Sequence, residues 1–367
     1  VDNPKITYTK RYYEGFIAHY FVNSSANEEW AKFCIEGQIL DIYSGKLRDF
    51  SGKHKFEAWG SLIIIENGTT NKMCSEELTE IYPGEKAKIL GSSENSLTLD
   101  RCDYYFDGEL QEKNGYVLNI AERASDLERF VHIHQDYHVQ IDALPEKLYL
   151  VCETPEKFLI SVNGTRIEQT VDGYFRDKSF QKMEISQYLT LGENIISFDC
   201  EFIQSDRFYE DRKKARVFES EKNKLNYDME IEAIYLLGDF SVRTDGIWTE
   251  LDKNSVRYQG DFVIDKPQKE IMVKHMEQQG YPFFCGNLVL EGEVYVQGNN
   301  PALVINWKGF NVLKIEINGM EKVILEQKPI SLHEFGVQGK TTVRYTLINN
   351  LRNLLGPHHL KVGESYT

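Results

Sequence analysis

Phe158-Leu159-Ile160-Ser161-Val162-Asn163-Gly164-Thr165-Arg166 decides the fold, because the same pattern returns as Leu313-Lys314-Ile315-Glu316-Ile317-Asn318-Gly319-Met320-Glu321. In both stretches an alternating apolar strand runs into Asn-Gly. A tight two-residue hairpin needs φ > 0 at both central positions, and Asn followed by Gly meets that need best. Each copy is followed at a distance by a glycine-led strand, Leu191-Gly192-Glu193-Asn194-Ile195-Ile196-Ser197-Phe198 and Gln338-Gly339-Lys340-Thr341-Thr342-Val343-Arg344-Tyr345. A repeat on this scale implies two related all-β modules in one chain. It predicts that Asn163 and Asn318 occupy equivalent hairpin turns of two superposable sandwiches.

Working outward, residues 6–22 read as a hairpin turning at Glu14-Gly15. Strands are expected around residues 31–35 and 39–43, with a turn at Ser44-Gly45, and residues 56–65 end in a run buried on both faces. This makes a first small β-domain over 1–96, closing before the polar stretch Gly91-Ser92-Ser93-Glu94-Asn95-Ser96. The first repeat falls in a second module, 97–237, and the second repeat in a third, 238–367. A short amphipathic helix is expected over residues 184–191. The charge-dense, sign-alternating run 206–226 reads as a solvated helix or loop. Turn signals recur every few residues and sustained 3.6-residue periods are rare, which is the pattern of an all-β protein built of sandwiches.

The 367 residues suit two or three domains, and 41% hydrophobic with 27% charged residues can build real cores. A formal net charge of −15 argues against nucleic acid, which requires a basic stripe, and against anionic lipid. No apolar run approaches the ~18 residues needed to span a membrane. The six cysteines, Cys34, Cys74, Cys102, Cys152, Cys200 and Cys285, show no CxxC or other metal spacing. Cys152 and Cys200 lie in apolar strand patterns, so buried free thiols and a reducing, cytoplasmic compartment are expected. Asn23-Ser24-Ser25, Asn67-Gly68-Thr69 and Asn163-Gly164-Thr165 match the glycosylation sequon, a weak signal that turns explain better at the last two. The start, Val1-Asp2-Asn3-Pro4-Lys5, has no signal-peptide core and reads as the opening of a fragment.

The motif order extends further. Strand, Asn-Gly turn, Asp172-Gly173-Tyr174-Phe175-Arg176-Asp177, Met183-Glu184-Ile185-Ser186, then Leu191-Gly192-Glu193-Asn194-Ile195-Ile196 is similar to the galactose-binding-like jelly roll. That is the sugar-binding module of β-galactosidase- and β-glucuronidase-type glycoside hydrolases, in which "VNG" ends one strand and "GxNxI" begins another. The third module resembles the same fold, departing from it with Lys340-Thr341-Thr342. Its Gln279-Gly280-Tyr281-Pro282-Phe283-Phe284-Cys285-Gly286 stands where such modules carry a "G-x-P-x-Y-x-G" strand. Leu351-Arg352-Asn353-Leu354-Leu355-Gly356-Pro357-His358-His359 looks like the tail of large rhamnosidase-like bacterial hydrolases. The first domain, with Asp41-Ile42-Tyr43-Ser44-Gly45 and Gly60-Ser61-Leu62-Ile63, resembles the β-domain that follows the catalytic barrel in those enzymes. The resemblance implies an all-β chain of tandem β-sandwich domains, two of them galactose-binding-like jelly rolls. It further implies a non-catalytic accessory or carbohydrate-binding region of a glycoside hydrolase acting on plant or host glycans. Its partners would be a carbohydrate ligand and the parent's catalytic barrel, with no cofactor.

Glycosidase chemistry needs two carboxyl groups ~5 Å or ~6.5–9.5 Å apart on a scaffold that places them. No alternating strand–helix pattern supplies barrel strand ends here. The chain alone is therefore expected not to hydrolyse glycosides, and no catalytic residue is assigned. An exposed apolar patch on the first domain is expected where a barrel would dock. His132, His134 and His138 could share a strand face as metal ligands, but Val131 and Ile133 facing the core would leave the first two merely on the wet side, so no metal is assigned. No phosphate loop, nucleophile elbow or zinc signature is present. Sugar recognition rests on exposed aromatic faces with a few orienting polar groups. The candidates are Tyr174 with Asp177 in the second module, and Trp248, Tyr281 and Trp307 in the third. His358 and His359 could contact a ligand, or could form a subunit or domain contact. A stand-alone carbohydrate-binding protein, a glycosidase active as given and a structural adaptor remain as rival readings.

Overall fold

Both Asn-Gly pairs form the turns that their chemistry demands. φ is 51° and 75° at Asn163 and Gly164, and 50° and 77° at Asn318 and Gly319, so each hairpin has two left-handed central residues. The computed structural model that shows this describes residues 1–66, 78–251, 255–325 and 327–359, so Asn67-Gly68-Thr69 and Cys74 lie outside the described residues.

The two copies hold the same place in two sheets. Leu159–Val162 pairs with Gly192–Phe202, which pairs with Val131–Ile141. Val312–Ile317 pairs with Gly339–Ile348, which pairs with Asn287–Val296. The registers agree as well. Ser161, two before its Asn, faces Ser197, five after its Gly, and Glu316 faces Arg344 with the same offsets. Gly192 and Gly339 each stand opposite the last residue of the neighbouring strand, Ile141 and Val296.

The chain divides into two compact units, Val1–Leu78 and Thr79–Thr367. In the first, Ile6–Tyr13 and Phe16–Asn23 form the expected hairpin, with Gly15 at φ 88° in the turn. They join Ser61–Glu66, Gln38–Leu40 and Leu47–Asp49 in one sheet. Glu29–Lys32 and Lys53–Phe56 pair separately. Ile6, Phe21, Ala31, Phe33, Phe56, Leu62 and Ile64 make the core. The opposite sheet face is mixed: Tyr13, Phe16 and Tyr20 are exposed and Ala18, Val22 and Ile63 half-buried, with Thr7, Thr9 and Arg11 exposed beside them.

The second unit has two large cores, each between sheets. One lies between a five-stranded sheet (Asn95–Leu99, Ile234–Gly238, Leu148–Glu153, Asp177–Glu184, Val171–Phe175) and an eight-stranded sheet centred on Val131–Ile141 and Gly192–Phe202. The other lies between a six-stranded sheet centred on Asn287–Val296 and Gly339–Ile348 and a three-stranded one, Ile330–Ser331, Pro301–Leu303 and Thr79–Ile81. Mostly antiparallel, sheet-on-sheet architecture is the all-β sandwich class that the patterning implies.

Pairing does not follow the boundaries read from the sequence. Thr79–Ile81 and Ala87–Ser92, ahead of residue 96, pair with Pro301–Leu303 and Asn287–Val296. The strands of one sandwich are therefore inserted between strands of the other. Ser241–Arg243 and Val263–Asp265, past residue 238, attach to the eight-stranded sheet. Strand pairing is non-local, and a composition break marks a loop without saying which sheet the next strand joins.

Helices also differ from expectation. Residues 184–191 hold the end of a strand and one 3₁₀ turn, Ser186–Tyr188. The Ser186 hydroxyl accepts the Leu148 backbone N–H at 2.9 Å, tying the turn to a strand. A helix at Leu118–Ser125 went unassigned, although Ile120, Ala121 and Ala124 are its buried stripe. The charge-dense run forms helices Asp206–Val217, capped by Ser205, and Glu219–Lys222.

Candidate functional site: a cleft of the C-terminal sandwich

Three connections of the C-terminal sandwich converge on a cleft of about 960 Å³. The first is Tyr82-Pro83-Gly84-Glu85-Lys86, between the strands Thr79–Ile81 and Ala87–Ser92. The second follows Glu270–Ile271 and contributes Met272, Lys274 and Gln279. The third, leaving Pro301–Leu303, contributes Asn306, Trp307 and Lys308. Each is anchored by an apolar residue turned into the core: Ile81, Val273 and Ile305. Alternation then leaves neighbouring side chains in the cleft.

Hydrogen bonds hold the walls. The Gln279 amide accepts the Met272 N–H at 2.8 Å and donates to the Lys274 carbonyl at 2.5 Å. The His275 N–H donates to the Lys308 carbonyl at 2.7 Å, and the Val304 N–H to the Ile81 carbonyl at 2.8 Å, so all three connections are cross-linked. Gly309, at φ 90°, admits no side chain: an added Cβ would stand 2.0 Å from the Glu277 carboxylate.

Two aromatic rings define the interior. Trp307 is half-buried and packs on the core at 5.6 Å from Phe310. Tyr82 is 60% exposed, and its hydroxyl donates to Glu80, which holds the phenol above its usual range. Lys308 reaches Glu250 at 2.5 Å and Lys86 reaches Glu270 at 2.9 Å. The side chains of Lys274, Asn306 and Gln327 make no hydrogen bond among the described residues, leaving polar groups open to a ligand.

Of the residues named from sequence, only Trp307 lines this cleft. Tyr174 is exposed at an edge hairpin elsewhere, and the Asp177 carboxylate is tied down by the backbone N–H and hydroxyl of Ser179, both at 2.9 Å. That backbone bond, foremost, holds Asp177 below the usual carboxylate range. Trp248 leans on Tyr258 at 4.9 Å on a two-stranded ribbon. Tyr281 is a correction. It is only 4% exposed, packed edge-on against Phe284 in the core, with burial pushing its phenol up to about 12, and offers no face to a sugar. His358 continues the ribbon, its N–H donating to the Val256 carbonyl.

His359 is a structural clamp. Its Nδ1–H donates to the Pro357 carbonyl at 2.6 Å and its Nε2–H to the Asp100 carboxylate at 3.0 Å, so both nitrogens carry protons. Burial, the largest single influence, works against that charge, but the Asp100 bond and charge with the Pro357 carbonyl outweigh it and hold the pKa above its ordinary value. The folded pKa is raised, so the stabilisation is full below the unfolded value near 6.5 and is lost as pH rises through the folded one. The free-energy gap between the wild type and Asp100→Asn, from urea unfolding, should shrink between pH 6 and pH 8. A gap that widens with pH contradicts the charged pair.

His132, His134 and His138 lie on the outer face of the eight-stranded sheet. Val131 and Ile133 face the core, and His134 donates to Asp199 at 2.8 Å and Asp136 at 3.0 Å. Among the described residues no group of three or more His, Cys, Asp or Glu is placed to hold a metal. Cys102, Cys152, Cys200 and Cys285 are buried free thiols, and Cys34 is exposed. No described helix is long and apolar enough to cross a membrane.

Tyr82, Lys274, Asn306 and Gln327 were not candidates from the sequence. Tyr82 carries a signal in Tyr82-Pro83-Gly84, an aromatic at a turn, but that segment had been grouped with the first domain.

No family model and no curated protein matches the chain. Among solved structures, a rhamnosidase from Novosphingobium sp. PP1Y is similar over 54% of this chain and 21% of its own, with 10% identity and a TM-score of 0.21. A β-D-mannosidase from Dictyoglomus thermophilum is similar over 69% and 31%, with 12% identity and a TM-score of 0.25. A β-D-glucuronidase from the same organism is similar over 74% and 40%, with 11% identity and a TM-score of 0.25. The chain thus spans well under half the length of each of these three proteins.

Proposed function

We propose that this chain is a non-catalytic, carbohydrate-binding region of a glycoside hydrolase, and that the C-terminal cleft is its sugar site. The observation that carries the reading is the pair of rings, Trp307 and Tyr82, in a cleft of about 960 Å³ beside side-chain amides that make no hydrogen bond among the described residues. A pyranose presents C–H groups on its faces and hydroxyls at its rim. Rings take the faces and amides or lysines take the hydroxyls. The motif resemblance of both sandwiches to the galactose-binding-like jelly roll supports the same class. The exposed aromatic residues Tyr13, Phe16 and Tyr20 on one sheet face of the first unit suit the docking of a catalytic barrel. The buried free thiols support a reducing, cytoplasmic setting.

Calorimetric titration with a panel of plant and mucosal oligosaccharides tests the site. Removing one ring forfeits apolar contact at about 25 cal/mol per Å², so Tyr82→Ala and Trp307→Ala should each weaken binding about tenfold. Tyr174→Ala and Trp248→Ala should leave affinity unchanged. If both cleft variants stay folded by circular dichroism and bind as the wild type does, the sugar site is elsewhere.

A further inference from the structure

We infer that the cleft selects saccharides bearing a negative charge, a carboxylate or a sulfate, an assignment that rests on the carbohydrate reading above. Over the whole chain Asp and Glu outnumber Lys and Arg by 57 to 42. The cleft reverses this bias: among the described residues Lys86, Lys274 and Lys308 line it against one acidic residue, Glu85. Lys274 has no ion pair among the described residues. Lys86 and Lys308 are held by Glu270 and Glu250, neither of which lines the cleft. All four of those side chains are a third or more exposed, and exposed pairs are weak enough for a ligand anion to replace the glutamate.

Position favours the same conclusion. Lys308 directly follows Trp307, and the His275 N–H bond to the Lys308 carbonyl sets the Lys274 segment beside it. Trp307 and two lysines on adjoining segments therefore line one cleft, a ring for a sugar face and ammonium groups for its charged substituents. Lysine is a mobile point charge, suited to either a carboxylate or a sulfate rather than to bidentate recognition of one of them.

The test is calorimetric titration of the full chain with two matched pairs: an oligogalacturonate and its methyl ester, and a sulfated oligogalactan and its desulfated form. Within each pair the ring faces are the same and only the charge differs. In at least one pair the charged member should bind about tenfold more tightly at low salt, and salt should shrink the difference. Which pair shows it distinguishes uronate from sulfate. Lys274→Met should weaken the charged member about fivefold and leave the neutral member unchanged. Equal binding of charged and neutral members in both pairs, or equal weakening of both by Lys274→Met, overturns charge selection and leaves the carbohydrate reading standing. If none of the four sugars binds, and no other member of the oligosaccharide panel does, both fall together.

Discussion

Phe283→Ala is expected to lower the stability of the Thr79–Thr367 unit by about 3–5 kcal/mol, the largest loss of any single substitution considered. Phe283 and Phe284 are adjacent and both fully buried, yet they belong to different cores. The Phe283 ring lies in the core of the inserted sandwich, edge-on to Phe262 at 4.8 Å and to His359 at 5.9 Å. It presses so closely on Gly356 that an added Cβ there would stand 2.2 Å away. Its carbonyl accepts the Ser96 hydroxyl at 2.6 Å. Around it, Tyr149, Val151, Phe175 and Leu237 on the outer face of the five-stranded sheet meet Cys285 and Leu354 in a small seam between the sandwiches. Alanine leaves a cavity at the point where the two cores are joined, and packed surroundings relax only partly into it. Urea unfolding followed by circular dichroism reads the loss. Phe284→Ala should cost a similar amount but act on the C-terminal core, so a split transition is expected for Phe283→Ala and not for Phe284→Ala. A loss below about 1 kcal/mol would mean that Phe283 is not the joint.

The second large effect is Asn194→Ala, expected to cost about 3 kcal/mol. Asn194 is fully buried, and its amide donates to the carbonyls of Thr190 at 2.8 Å and Gly192 at 3.0 Å. Its oxygen accepts the Thr190 N–H at 2.9 Å and the Asn163 side chain at 2.8 Å. Asn163 in turn accepts the Ile195 N–H at 3.0 Å. One amide thus ties the glycine-led strand to the Asn-Gly turn, and its removal breaks four hydrogen bonds at once around a fully buried position. The corresponding position of the other copy, two after Gly339, is Thr341, whose hydroxyl reaches only the Gly339 carbonyl at 3.3 Å. Thr341→Ala should therefore cost less than about 1 kcal/mol. Equal losses for the two substitutions, measured by urea unfolding, would refute the role given to the amide network.

These two sites mark how far the sequence could be read. The Asn-Gly turns, the glycine-led strands and the first-unit hairpin were legible because each depends on a few neighbouring residues. Left-handed φ and alternation are local requirements that few sequences satisfy. The Asn194 position was legible as a motif, and its bonds to Asn163 give that motif a physical meaning. Trp307 and Tyr281 are both candidates on the ground that aromatic faces take sugar rings. Tyr281 is core, since alternation does not say which face a sheet buries when it packs between others. The short helix over residues 184–191 failed because a few amphipathic positions suit a 3₁₀ turn bonded to a strand equally well.

By itself the sequence determined the all-β class, the repeat and the turn types, all consequences of backbone sterics and period-two burial. Tertiary structure alone decided which strands share a sheet, that one sandwich is inserted within the other, and that Tyr82 and Trp307 line one cleft. The physical reason is that sheet pairing and core burial are competitions among distant segments for the same hydrogen bonds and the same apolar partners. Their outcome depends on the whole chain at once, and no window of neighbouring residues contains it.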